Sequence, residues 1–134
     1  LFVVFRRARE TWWLWVALMI LAPTLESVFK ELVGRTRPES LALSFPSGHS
    51  TAAAAFFGAL MFLAPALPPW LCAAVRVLAT LMILLVGMAR VVLRAHWPSD
   101  VLAGIALGLA LAAAAGLLAL RRPAHATPPV RARG

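Results

Sequence analysis

PSDVLAGIALGLALAAAAGLLAL, residues 98–120, carries one charge, Asp100, and then none until Arg121. The hydrocarbon core of a bilayer takes about 20 residues of α-helix, so this stretch is long enough to span one. It is apolar nearly all round, which suits lipid or a fully enclosed position. Three similar segments precede it, at 12–33, 49–67 and 70–88. Composition agrees. The chain has 134 residues, 62% apolar and only 13% charged, where a water-soluble domain carries about 25% charged. The expected fold is therefore all-α: an integral membrane helical bundle with four transmembrane helices. Trp12, Trp13, Trp15, Trp70 and Trp97 lie near segment ends, where an aromatic belt places them. Residues 1–11 read as a basic N-terminal stub, 12–122 as the membrane domain, and 123–134 as a disordered basic tail. The apolar residues ahead of Arg6 look like the end of an earlier helix.

Thirteen Lys and Arg against five Asp and Glu give a net charge of +8. Such a balance first suggests nucleic acid, but these charges sit at the ends of apolar runs, so the expected partners are membrane lipids and no nucleic acid. Four spans bring both termini to one side. Arg6, Arg7, Arg9, Arg76, Arg121, Arg122, Arg131 and Arg133 fall on that side, which reads as cytoplasmic by the positive-inside rule. Lys30, Arg35, Arg37, Arg90 and Arg94 fall on the other. Cys72 is the single cysteine, which excludes a disulfide framework. Ala54 and Gly58, and Gly104 and Gly108, have the small-xxx-small spacing of closely packed membrane helices.

Polar groups inside a membrane bundle are costly and point to function by default. Here they concentrate in KELVGRTRP (30–38), FPSGHS (45–50) and ARVVLRAHWPSD (89–100), all on the non-cytoplasmic side of the expected topology. Lys30 and Arg37 are seven residues apart. On one continuous helix ended by Pro38 they would share a face about 10 Å apart along the axis, close enough to converge on one anion. Ordinary complementation of a helix end is the competing reading. Glu26, four residues before Lys30, can pair with it. Pro46-Ser47-Gly48-His49 opens the second helix, where unsatisfied N–H groups favour an anion, Gly48 admits a close approach and His49 can transfer a proton; a plain Ser-capped start is the alternative. Arg90 ends the third helix. His96 precedes the fourth, and Asp100, four residues on, can accept the imidazole Nδ1–H and leave Nε2 free as a nucleophile; a cap pair is again the alternative. Together the segments supply cations, a helix N-terminus, an acid and a nucleophile, which are the parts needed for phosphoryl transfer. The five acidic residues form no cluster suited to Mg²⁺ or a two-metal centre, so no metal and no cofactor are expected.

These residues resemble the signature of the type 2 phosphatidic acid phosphatase superfamily, which reads K-x6-RP, PSGH and SR-x5-H-x3-D. The matching positions are Lys30, Arg37 and Pro38; Pro46 to His49; and Arg90, His96 and Asp100. The resemblance implies metal-independent removal of phosphate from a lipid phosphate or lipid pyrophosphate. It implies that Lys30, Arg37 and Arg90 bind phosphate, helped by Ser47 and Gly48. It further implies that His96 attacks phosphorus to give a phosphohistidine, that His49 protonates the leaving group and that Asp100 orients His96. Ala89 stands where the family has Ser, so one hydroxyl contact is missing; such a contact to a charged group is worth about 1.5–3 kcal/mol. Membrane members of the family usually have six helices, and the segments here match the last four. The expected location is the bacterial inner membrane, with the site on the outer face. A lipid phosphotransferase built on the same residues and a non-catalytic membrane packing subunit are the alternative functions.

Overall fold

The structure is a computed structural model that describes residues 2–121. It contains four long helices, α1 (Phe2–Val33), α2 (Gly48–Leu63), α3 (Pro69–Val92) and α4 (Pro98–Arg121). All four are long and apolar enough to cross a membrane. The 24 residues of α3 or of α4 cover about 36 Å at 1.5 Å per residue. α2 is shorter and is continued by one 3-10 turn, Ala64–Ala66. The helical membrane bundle read from composition is thus the observed architecture. The helix α1 already begins at Phe2, so no break separates residues 2–11 from the apolar span. The tail at 123–134 lies outside the described residues.

The first connection departs from expectation. A small antiparallel hairpin, β1 (Thr36–Arg37) with β2 (Ser40–Leu43), occupies it. α1 does not run to Pro38. It stops at Val33 because Gly34 turns into the left-handed region, at φ 63°. The Gly34 N–H donates to the Lys30 carbonyl at 3.0 Å, a glycine helix stop. Lys30 and Arg37 are therefore not two turns apart on one helix. Lys30 lies in the last turn of α1, and Arg37 is carried back over the bundle end by the hairpin, with Pro38 in its turn.

α2 and α4 form the centre, and α1 and α3 each pack against both. The central contact is backbone against backbone. A Cβ on Gly108 would lie 2.4 Å from the Thr51 carbonyl oxygen, and one on Gly104 would lie 2.6 Å from that of Ser47. The small-residue spacing in the sequence is therefore a packing device. Below these glycines, Leu18, Ala22, Ala55, Ala59, Ala112 and Ala115 close an apolar core shared by α1, α2 and α4. Trp15 turns toward this core and donates its indole N–H to Thr11 Oγ1 at 3.1 Å. Trp12 and Trp70 stay on the outside, as belt residues do. α3 buries a narrow stripe, Ala79, Ile83 and Gly87, at helical spacing.

Adding one methyl at the central contact should be felt by the whole bundle. Gly108→Ala is expected to lower stability by about 1–3 kcal/mol through overpacking. Ala114→Val, on an exposed position of the same helix, should stay within about 0.5 kcal/mol. Denaturant titration in mixed micelles measures both.

Candidate active site

Most polar side chains with no exposure cluster where the hairpin, the start of α2 and the start of α4 meet. The largest fully buried side chains are Thr51, Asp100, Pro46, Ser44, Ser47 and Ser50. Asp100 organises them. Pro98 occupies the first helical position of α4, which its fixed φ favours, and this puts Asp100 in the first turn. Its Oδ2 reaches back to accept the Trp97 N–H at 2.9 Å, and Oδ1 accepts from Arg35 Nη1 at 3.2 Å. The Ser44 hydroxyl donates a short bond to Oδ2. The Asp100 carbonyl accepts the Ser47 N–H at 2.9 Å. A carboxylate taken fully out of solvent is tolerable only when it is answered in this way.

His96 lies beside it, with 4% of its surface exposed. The backbone N–H groups of Ala95 and His96 donate to the Arg90 carbonyl at 3.1 and 3.2 Å, which folds the loop back on the end of α3. Nδ1 is 3.8 Å from Asp100 Oδ2, too far for the direct hydrogen bond expected from the i, i+4 spacing. Ser44 Oγ stands between them, 3.4 Å from Nδ1. Burial lowers the pKa of His96, and the nearby Arg37 and Lys30 charges lower it further. The Ser44 backbone and Asp100 pull it up, without reversing the direction. The net lowering favours the neutral imidazole at pH 7.

The remaining candidates are arranged as follows. Lys30 makes the expected ion pair with Glu26, which is itself buried. The Glu26 carboxylate lies against Gly48, where a Cβ would come within 2.8 Å of Oε1. Arg37 is half-buried, and its Nε donates to the Leu43 carbonyl at 3.4 Å. Arg90 Nε is buried and has no hydrogen-bond partner among the described residues. Ser47 is buried at the N-cap of α2, yet its hydroxyl does not cap the helix; it accepts from Ser50 Oγ at 3.0 Å. His49 occupies the second position of α2, exposed, and its ring makes no hydrogen bond among the described residues. Lys30, Arg37, Ser47, Gly48, Arg90, His96 and Asp100 thus gather at one end of the bundle, and His49 adjoins them without touching the buried network.

Two residues of this end are not marked out by the sequence. In the sequence Arg35 is one interfacial charge among several, yet it bonds Ser99 Oγ at 2.8 Å, pairs with Asp100 and lies over the Trp97 ring at 5.5 Å. Trp97 Nε1 donates to the Thr36 carbonyl at 3.1 Å, and Arg94 pairs with Glu39 at 3.2 Å. These contacts clasp the hairpin to the loop between α3 and α4. Ser44 stands immediately before the FPSGHS stretch, and nothing in its type or spacing marks it out. Among the described residues no three His, Cys, Asp or Glu side chains converge as metal ligands. The geometry offers a neutral imidazole facing a set of guanidinium and ammonium groups, which suits a tetrahedral anion.

Comparison with known proteins gives a consistent picture. The model of the PAP2 superfamily matches residues 42–123, a span that takes in Ser44, the PSGH stretch, Arg90, His96 and Asp100 but begins after Lys30 and Arg37. A lipid A 1-phosphatase of Rhizobium johnstonii is 35% identical over 106 residues, covering 67% of this chain and 40% of that protein. Phosphatidylglycerophosphatase B of Bacillus subtilis is 35% identical over 114 residues, covering 77% and 56%. A decaprenylphosphoryl-5-phosphoribose phosphatase of Mycobacterium tuberculosis is 32% identical over 117 residues, covering 80% and 60%. The chain therefore spans between 40% and 60% of the length of these curated relatives. Among solved structures, a transmembrane PAP2-type phosphatidylglycerolphosphate phosphatase from Bacillus subtilis aligns with a TM-score of 0.76 at 26% identity, covering 92% of this chain and 70% of that one.

The electrostatics of His96 give a pH dependence of definite sign. Its folded pKa lies below the ordinary 6.5, so the unfolded chain binds more protons in that window. The resulting stability is complete above 6.5 and is lost as pH falls through the lowered value. His96→Gln should remove this part of the acid slope in micelle unfolding titrations. Arg37→Gln should raise the His96 midpoint followed by NMR, because one of the charges that opposes protonation is gone.

Proposed function

The chain belongs to the PAP2 superfamily, and on that premise we propose that it removes phosphate from a lipid phosphate or lipid pyrophosphate, without a metal ion, through a phosphohistidine. The observation that carries this reading is His96, a buried neutral imidazole held at its Nδ1 edge among the Lys30 and Arg37 charges. Lys30, Arg37 and Arg90 take the phosphate oxygens, and the unpartnered Arg90 Nε is a donor available for one of them. The Ser47–Gly48 region adds the N-terminus of α2. His96 Nε2 attacks phosphorus as the bond to the lipid oxygen breaks, and His49, exposed at the mouth, gives that oxygen its proton. Water, deprotonated by the same His49, then cleaves the P–N bond and releases inorganic phosphate. Asp100 holds the imidazole and stabilises the cation formed on attack.

The charge pattern of the sequence supports the outer face of a bacterial inner membrane as the site's location, since eight of the thirteen basic residues fall on the other side of the expected topology. The three relatives share one substrate feature by name, a phosphate on a lipid. The lipid tail would remain among the exposed apolar side chains of the helices, leaving only the headgroup for the polar end.

His96→Ala and His49→Ala should each abolish phosphate release from micellar lipid phosphate, by at least about 100-fold, while the protein still inserts. Excess EDTA should leave the wild-type rate unchanged. A rate lost on chelation and restored by Mg²⁺ would overturn the metal-free route.

A further inference from the structure

Ser44 has no exposed surface and sits between the two groups on which the proposed chemistry depends. A hydroxyl has one donor and two acceptor lone pairs, whereas a carboxylate only accepts. Asp100 Oδ2 can therefore accept a hydrogen bond from the Ser44 hydroxyl, and Ser44 Oγ can at the same time accept one from a His96 Nδ1–H. The direct His96–Asp100 separation of 3.8 Å leaves the hydroxyl as the bridge. Its position is fixed from both sides. The Ser44 N–H donates to the Arg35 carbonyl at 2.7 Å, and the Arg35 guanidinium engages Asp100 at its other oxygen.

We propose that Ser44 is a positioning residue for His96: its hydroxyl is the link through which Asp100 holds the imidazole with Nδ1 protonated and Nε2 free. The chain runs from Nδ1–H to Oγ and from Oγ–H to Oδ2, and no proton changes hands along it. As phosphorus bonds to Nε2 the ring becomes cationic and the Nδ1–H bond strengthens. The link therefore acts on the chemical step more than on substrate binding. The proposal rests on His96 being the nucleophile. The charged groups facing His96 are Asp100 from α4, Arg37 from the hairpin and Lys30 from α1, and substitution of Ser44 leaves all three in place.

The test uses the whole protein in mixed micelles, with phosphatidic acid as substrate and nitrogen NMR on the histidine rings. Wild type should show His96 with Nδ1 protonated and Nε2 bare. Ser44→Ala should mix the two tautomers and lower kcat by about 10- to 100-fold with KM within about twofold. Ser44→Thr, which restores the hydroxyl, should recover the wild-type tautomer and most of kcat. A wild-type His96 protonated at Nε2 would overturn the proposal whatever the variants do. So would a Ser44→Ala protein with the wild-type tautomer and kcat, since the Ser44 backbone would then suffice. A His96→Ala protein that still releases phosphate would remove the nucleophile reading instead, and the tautomer spectra would continue to decide the role of Ser44.

Discussion

A fully buried carboxylate, Asp100, is the constraint around which the polar end of this bundle is built. Its charge must be answered by donors, and the donors come from three separate stretches of chain. Arg35 arrives with the hairpin, Ser44 with the segment leading into α2, and the Trp97 N–H from the turn that starts α4. Each of them answers part of a charge that has no exposed surface of its own. The same need therefore closes the first and third connections over each other, and the exposed Arg94–Glu39 pair adds little to that closure.

A second constraint lies lower in the bundle. Between membrane helices there is little hydrophobic driving force, and close van der Waals packing takes its place. Gly104 and Gly108 let α4 lie directly on the backbone of α2 at Ser47 and Thr51. Ser47 is at once the N-cap of α2, a donor to Asp100 and a contact of Gly104. The packing of the two central helices and the assembly of the polar end are in this way one structure rather than two.

Much of this was legible in the sequence, for identifiable reasons. The four spans follow from uninterrupted apolar length, a signal that tertiary context does not override. Pro98 and the spacing from His96 to Asp100 placed the start of α4 correctly. Long-range pairing was not legible. The i, i+4 spacing suggested a direct His96–Asp100 bond, but the loop before α4 is not helical, and a serine more than fifty positions away fills the gap. Gly34 ended α1 before the turn that would have aligned Arg37 with Lys30, because a left-handed glycine stops a helix as firmly as the proline further on. Arg35 looked like one more interfacial cation, since nothing local reveals which of several arginines will meet a carboxylate across the bundle.

The glycine contact between α2 and α4 reaches further than packing. His49 rides on the first turn of one helix and Asp100 on the first turn of the other, so their relative placement is keyed where two backbones touch with no side chain between them. Neither helix can roll about its own axis without driving a Cβ-bearing neighbour into a carbonyl. The alignment of the proposed proton donor with the carboxylate that holds the proposed nucleophile is thus gauged from the bundle interior, where a substitution touching no phosphate can still detune it.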